Sequence, residues 1–230
     1  MDMPAVTLPA AVTDTIQSWS TETPVLDLSD RLGVVKETWD LQTFSELQEG
    51  KVAVPDEVIN DTLAKAIDDS ERVKELKIES LENHQLKITA VTAKSGRIEM
   101  LCQVEKFEHD KDHSVVKLKA LSKKLPERPV MSWIFSRISL SLANKLVGHV
   151  DPAKGMNIEF SGNEITVDFH QALYQSAVGS VELFGYRPLD YLAVYSATPN
   201  KGYVEFQTNM ALPDNIKEII QNSLQLAQNS

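Results

Sequence analysis

Four consecutive segments in which apolar and polar residues alternate constrain the fold of this chain more than any other feature. They span residues 73–81, 85–93, 97–107 and 115–121. The third alternates most cleanly, with Ile98, Met100 and Cys102 on one side of the strand. Because a period of two places alternate side chains on one face, the sequence predicts a four-stranded antiparallel meander with one apolar and one charged face.

A long amphipathic pattern follows the meander. Between residues 123 and 151, apolar residues recur at spacings of three and four, and prolines bound the run. This pattern predicts an amphipathic helix of about 17 residues, too short and too polar to span a bilayer. Its apolar arc is wide, because Trp133 and Leu140 lie outside the main stripe. A helix with so wide an arc suits the concave face of a curved sheet.

Other helices and strands are predicted on both sides of this central helix. A helix covers residues 58–67, and another begins at Pro213. Ser161, Gly162 and Asn163 indicate a tight hairpin turn. Later strands are predicted over residues 181–186, 191–196 and 202–210. The predicted fold class is α+β: a strongly curved antiparallel sheet wrapped around a long central amphipathic helix, with flanking helices.

The acidic residues are concentrated near the N-terminus. Residues 1–70 hold 14 Asp and Glu against 4 Lys and Arg, which equals the whole net charge of −10. We therefore predict an acidic, partly ordered N-terminal arm over residues 1–50 and a curved-sheet domain over residues 51–230. The aromatic residues Trp19, Trp39 and Phe44 argue against a fully disordered arm. A protein that begins at Lys51 is expected to stay folded.

Composition bounds the class of protein and its surroundings. The chain is 42% hydrophobic and 24% charged, as is usual for a globular protein. Its single cysteine, Cys102, excludes an internal disulfide and is predicted to be a buried apolar residue. The charge distribution argues against nucleic acid as a partner. With no signal-peptide pattern, the expected location is the cytoplasm or the periphery of a membrane. A homodimer is left open.

Two pairs of residues that contain histidine are candidates for metal binding or catalysis. His109 and His113 are four residues apart, but they lie in a charged turn without a third ligand, so no metal site is predicted. Asp168 and His170 have no Ser or Cys in a Gly-rich elbow beside them, and a structural pair at a strand end is favoured. We therefore predict that the protein is not an enzyme and needs no cofactor, while a hydrolase stays a minor alternative.

A basic cluster and an aromatic region are candidates for binding. The cluster could face anionic lipid head groups, although the solvent face of a strand explains it too. Its members are Lys117, Lys119, Lys123, Lys124 and Arg128. All five tyrosines lie between Tyr174 and Tyr203. Strand propensity explains part of this enrichment, and the wall of a ligand cavity would explain the rest.

The order of elements suggests a family. A helix, the meander, the long helix and a hairpin whose second strand reads Ile165-Thr166-Val167-Asp168-Phe169 follow one another. This order resembles the LmeA-like phospholipid-binding proteins of the bacterial cell envelope, themselves similar to the tubular lipid-binding superfamily, over about residues 55–211. The resemblance implies a curved sheet that wraps a long helix and leaves an apolar groove for a lipid.

Two hypotheses for function follow. The first is non-enzymatic binding of a lipid or other amphiphile in an apolar groove between the curved sheet and the central helix. The residues expected to line this groove are Trp133, Phe135, Ile138, Leu142, Phe169, Tyr186, Tyr195 and Phe206. The second is a scaffold or protein-interaction domain whose core is filled by its own side chains, with the acidic arm as its docking segment.

Overall fold

The computed structural model describes residues 41–67, 70–142, 155–176, 179–180, 182 and 186–228. The elements in chain order are α1 (Leu41–Glu49), β1 (Lys51–Pro55), α2 (Asp56–Ile67), β2 (Val73–Leu81), β3 (Gln85–Thr92), β4 (Gly96–His109), β5 (Ser114–Lys124), α3 (Pro129–Arg137), β6 (Asn157–Ser161), β7 (Glu164–Asp168), α4 (His170–Gln175), a 3-10 helix (Pro188–Tyr191), β8 (Leu192–Asn200), β9 (Tyr203–Met210) and α5 (Asp214–Gln228). The mixture of helices with an antiparallel sheet confirms the α+β class.

The strands form one nine-stranded sheet in the described part of the chain. The order β1-β9-β8-β4-β5-β7-β6 is antiparallel throughout, and the hairpin of β2 and β3 joins β4 through β3. Strand β4 is 14 residues long and pairs with β3, β5 and, at His109, with β8. The order does not return to its first strand, so the sheet is open and uncurled. Strong curvature around a helix is not shown.

The predicted meander is confirmed. Strand β2 has the predicted bounds, and the ends of β3, β4 and β5 lie within three residues of theirs. Along β4, Ile98 and Cys102 are buried while Arg97 and Gln103 are exposed, as the alternation predicts. Burial also raises the pKa of the Cys102 thiol to about 12, so this cysteine is the buried apolar residue that the sequence indicates.

The long central helix is not observed at its predicted length. Helix α3 ends at Arg137, and Ile138 is extended with φ −88° and ψ 157°. The Oγ of Ser139 accepts a hydrogen bond from the Leu142 N–H at 3.4 Å, which is the contact of a helix N-cap. The serine thus competes with continuation of α3 and starts a new helical turn at residues 140–142. Residues 143–151 of the prediction lie outside the described residues.

Strand β1 was not predicted as a strand. The sequence predicts a boundary between the N-terminal arm and the domain here, but residues 51–55 pair with β9, from Lys51 opposite Gln207 to Pro55 opposite Tyr203. Pro55 lacks a backbone N–H, and its place at the end of an edge strand is one that proline tolerates. A segment of five residues that ends in proline is too short for its alternation to predict a strand.

Helix α2 covers the free edge of β2. The Asn60 side chain accepts a hydrogen bond from the Ile78 N–H at 2.8 Å and donates one to the Ile78 carbonyl at 2.9 Å. The Asp56 carboxylate accepts a hydrogen bond from the Ser80 N–H at 2.6 Å. These side chains take the place of a neighbouring strand, so this part of the edge is protected from pairing with another chain.

Three clusters of buried side chains form the core in the described residues. The first joins α1, β1, β9 and α5 and contains Phe44, Leu47, Val52, Met210, Leu212, Ile216 and Ile220. The second lies on the central strands and contains Leu86, Cys102, Leu118, Ala120, Leu140, Ile165 and Val204. The third is small and contains Ile98, Leu125 and Phe135. Helix α3 therefore contributes one side chain, Phe135, to the buried core.

The first cluster bears on the division of the chain at Gly50. Phe44 and Leu47 of α1 lie before this boundary, yet both are buried against residues from β9 and α5. Trp19 and Trp39 lie outside the described residues. The boundary stays a prediction, but the packing argues against the expectation that a protein beginning at Lys51 stays folded.

We expect Phe44→Ala to lower the free energy of unfolding by about 3–5 kcal/mol, because Phe44 is only 1% exposed and its removal leaves a cavity in the first cluster. Urea denaturation of both proteins measures the change. Gln42→Ala is the control, since Gln42 is an exposed residue on the same helix. Equal unfolding free energies of the two variants would show that α1 does not contribute to the stability of the core.

Candidate functional site

Helix α3 carries an exposed apolar surface. Val130 is 76% exposed and Trp133 is 59% exposed, and Met131 and Ile134 are exposed beside them. Of the nine residues in this helix, Phe135 alone is buried. A helix that only stabilised the sheet would bury its large apolar side chains, so this surface is a candidate for binding an apolar partner. We call Val130, Met131, Trp133 and Ile134 the α3 surface.

The helix is held in place by a few specific contacts. Pro129 lies at its first turn, where its fixed φ favours a helix start. The Leu125 N–H donates a hydrogen bond to the Ser132 Oγ at 2.9 Å, which ties the end of β5 to the helix. Phe135 packs against Leu125 and Ile98 below it. With one face anchored in this way, the α3 surface is directed away from the sheet.

A cation lies against the exposed tryptophan. The Arg137 guanidinium is 4.1 Å from the centre of the Trp133 ring, within the range of a cation–π contact. A tryptophan beside an arginine combines a large apolar ring with a polar rim, as at the boundary between an apolar phase and water. Residues 119–142 contain five Lys and Arg and one Glu, a net charge of +4 in a chain of −10. The segment of sequence that carries the α3 surface is thus basic.

The predicted basic cluster is dispersed in the structure. Lys117 forms ion pairs with Glu164 at 2.8 Å and Glu105 at 3.8 Å, and Lys119 approaches Glu105 at 4.0 Å. The hydrogen bond to Glu164 raises the pKa of Lys117, so this charge is neutralised locally. Lys123 is buried. Lys124 and Arg128 are exposed, and Arg128 also donates a hydrogen bond to the Lys94 carbonyl at 3.2 Å.

The eight residues predicted to line a groove lie in several different surroundings. Trp133 and Leu142 are exposed, whereas Phe135 is buried and Ile138 packs beside it. Phe169 and Phe206 both contact the Phe107 ring, with ring centres 5.6 and 5.2 Å away. Tyr186 stacks near Tyr191 at 5.8 Å beside the first cluster, and Tyr195 is exposed on β8. These contacts describe no common cavity, and the ligand-binding role of the eight residues stays a prediction.

A groove of about 280 Å³ lies between α2 and β2. Its lining combines apolar with charged side chains, among them Ala64, Ile67, Val73, Lys74 and Glu75. None of the predicted ligand-binding residues lines it. The α3 surface, in contrast, includes Trp133, which is one of the predicted ligand-binding residues.

A buried polar cluster joins the turn after β4 to helix α4. The Ser114 Oγ lies 2.8 Å from the Nδ1 of His109 and 3.1 Å from the Nδ1 of His170. A hydroxyl has one proton to donate, so at most one of the two imidazoles can accept a hydrogen bond from it and the other must donate its own. Burial is the main cause that lowers the pKa of His109. Because Ser114 is 0% exposed, its hydroxyl is a structural link and not an accessible nucleophile.

Asp168 and His170 form the structural pair that the sequence favours. The Asp168 Oδ1 accepts a hydrogen bond from the His170 backbone N–H at 3.0 Å, as expected for an Asp at a strand end. The imidazole itself is directed at Ser114 and stacks on Tyr174 with ring centres 4.5 Å apart. The carboxylate therefore stabilises the first turn of α4, and its hydrogen bond is to the backbone of His170 and not to the imidazole.

The other histidine pair also makes separate contacts. His109 is directed inward to Ser114, whereas the His113 Nδ1 lies 2.8 Å from the Asp110 carboxylate at the surface. The described residues contain no cluster of three potential metal ligands. The described helices also include none that is both long and apolar enough to cross a membrane.

Comparisons with protein-family models, with curated proteins and with solved structures find no match for this chain. The functional conclusion therefore depends on the geometry of the chain itself. The sequence pattern did name Trp133, but it missed the exposure of Val130, Met131 and Ile134. The wide apolar arc of this segment could have indicated the exposure. Such an arc is typical of a helix that is buried on two sides, or of one that is buried on one side and exposed on the other, as observed.

Asp168→Asn should be milder than Asp168→Ala, because an amide oxygen can still accept the hydrogen bond from the His170 N–H. We expect Asp168→Ala to lower the free energy of unfolding by about 1 kcal/mol and Asp168→Asn by less. Urea denaturation measures both. A loss for the Asn variant as large as that for the Ala variant would show that the charge, and not the hydrogen bond, is what matters.

His109 should make the protein sensitive to acid. Its pKa is lowered from the ordinary 6.5, so its stabilising effect is complete above pH 6.5 and is lost as the pH falls toward the folded pKa. Between pH 7.5 and 5.5 the wild type should lose more unfolding free energy than His109→Asn, by up to about 1.4 kcal/mol per pH unit below 6.5. His113→Asn is the control, since His113 is exposed. Identical pH dependence of the wild type and His109→Asn would contradict this role.

Proposed function

We propose that the protein is a non-enzymatic binding module that takes up a lipid or other amphiphile at the α3 surface. The observation that carries this proposal is the exposure of Val130, Met131, Trp133 and Ile134 on a helix with one buried side chain. Covering such side chains removes apolar area from water, which favours binding by roughly 1 kcal/mol for each of them. The nearby cation of Arg137 suits a ligand whose other end is polar.

The proposal extends to the groove that the sequence predicts between the sheet and the central helix. Ile138 and Leu142 follow directly after α3, so an elongated apolar ligand on the α3 surface could extend along them. The order of elements that resembles LmeA-like phospholipid-binding proteins supports the same class of ligand. A peripheral position at an anionic membrane surface would use the same side chains together with the exposed Lys124 and Arg128.

The contacts of the polar clusters support the proposal that the protein is not an enzyme. The Ser114 hydroxyl is buried between two imidazoles, and Asp168 is bonded to the backbone of its own turn. General acid–base or nucleophilic catalysis needs such groups within reach of a substrate. In the described residues these groups are occupied with structural contacts.

A scaffold is the second candidate, and the packing of the sheet favours it. The first two clusters fill the sheet with side chains of the chain itself, and α1 completes the first of them. On this account the α3 surface would bind a protein, and the acidic residues before α1 would form a second docking segment. Native mass spectrometry after gentle purification distinguishes the two, because a lipid carrier should retain an amphiphile and a scaffold should not.

The double variant Val130→Ser/Trp133→Ser tests amphiphile binding. Titration with a neutral apolar dye, N-phenyl-1-naphthylamine, should show an affinity about tenfold lower than that of the wild type. The unfolding free energy should change by less than about 0.5 kcal/mol, since both side chains are exposed. Val58→Ser, which replaces an exposed apolar residue on α2, is the control and should bind like the wild type. Equal dye affinity for all three proteins would refute the α3 surface as the site.

A further inference from the structure

Lys123 is a buried lysine at the end of β5. It is 6% exposed, while the preceding Ser122 and the following Lys124 are exposed, so its side chain lies on the inner face of the strand. Met100, its partner on β4, packs against the second and third clusters. A lysine at such a position is unusual, because burying an ammonium group is costly unless a partner compensates its charge.

The chain supplies Lys123 with little compensation in its described part. The Nζ donates one long hydrogen bond, 3.5 Å, to the Oδ1 of Asn163 in the hairpin turn between β6 and β7. The same oxygen also accepts a hydrogen bond from the Leu140 N–H at 3.3 Å. An ammonium group has three protons to donate, so one shared amide oxygen leaves most of its donor capacity unused.

No carboxylate of the described residues forms an ion pair with this amine. Burial is the cause that lowers the pKa of Lys123, and no negative charge among the described residues opposes it. The neighbouring Lys117 differs in this respect, since Glu164 and Glu105 neutralise it. Lys123 is thus a buried amine whose counter-charge the described residues do not provide.

Lys123 is connected to the base of α3 through the end of β5 and to the surface through Asn163. Lys123 and Leu125 are both buried, two residues apart, and Leu125 contacts Phe135 and Ser132 of α3. Asn163, which accepts the hydrogen bond from Lys123, is an exposed residue. The amine therefore contacts one exposed side chain, and its strand leads within two residues to the base of the helix that carries the α3 surface.

We propose that Lys123 binds the negatively charged head group of the amphiphile and so selects anionic over neutral ligands. This inference rests on the proposed function, because it assigns the polar end of the ligand whose apolar part covers the α3 surface. The chemistry is that of a carboxylate or phosphate monoester on an alkyl chain. Displacing the Asn163 side chain would give either anion access to the unused donors of the ammonium group, and charge-assisted hydrogen bonds of this kind are short and strong.

Calorimetric titrations with three ligands of equal chain length test the selection. Dodecanoate, dodecyl phosphate and dodecanol are compared below their micelle concentrations, with the wild type and Lys123→Met. The wild type should bind at least one of the two anions about tenfold more tightly than dodecanol, and Lys123→Met should bind all three alike. The two anions distinguish a carboxylate from a phosphate ligand. Lys106→Met is the control: it removes an exposed lysine of β4 and should keep the preference.

A second variant keeps the lysine and is informative even if Lys123→Met does not fold. Asn163→Asp places a carboxylate where the amide oxygen lies 3.5 Å from the amine, so the chain itself supplies the counter-charge. It should lose the preference for anions while still binding dodecanol. Circular dichroism confirms that each variant is folded.

The outcomes separate the two proposals. If the wild type binds dodecanol and the anions equally well, the selection by Lys123 is wrong while amphiphile binding stands. A preference for anions that survives in Asn163→Asp would also overturn the selection by Lys123. A preference that disappears in Lys106→Met would do the same, since the overall charge of the protein, and not Lys123, would then be its cause. If none of the three ligands binds to the wild type, amphiphile binding and the inference both fail.

Discussion

The pairing of strand β4 is the constraint on which the rest of the described structure depends. It hydrogen-bonds to β5 along one edge and to β3 and then β8 along the other. The meander and the unit of β8, β9 and β1 therefore share one continuous sheet through this strand. Cys102, fully buried near its middle, lies in the second cluster with residues of β3, β5, β7 and β9. A strand that is paired on both edges and buried on one face tolerates little change in register.

The short length of α3 is the feature that matters most for function. A continuous helix would carry its stripe from Phe135 through Leu142 and bury it along one face. Instead the helix ends at Arg137, and Leu140 turns into the second cluster while Phe135 lies in the third. Phe135 and Leu140 hold the segment against the sheet, and the apolar side chains of the α3 surface are left exposed, which is the basis of the proposed function.

The buried polar groups fall into two kinds. His109 and His170 are joined through the Ser114 hydroxyl, and Asp168 is bonded to the turn it stabilises. Such groups fix the geometry of a strand end, because a buried polar atom without a partner is costly. Lys123 differs, since its one hydrogen bond is long and its charge is not compensated in the described residues. This uncompensated charge is the physical reason to look for a ligand at Lys123.

The sequence by itself determined the local structure of most of the sheet. Alternation along residues 73–121 predicts the meander because each strand has one buried face, and Ser161-Gly162-Asn163 predicts the β6–β7 turn because glycine accepts its positive φ of 59°. It could not determine which strands meet, since β1 pairs with β9 across some 150 residues of chain. The exposure of Trp133 and the burial of Lys123 were likewise decided by the tertiary structure, because both depend on where α3 ends and on which distant elements, β4 and the β6–β7 turn, pack beside it.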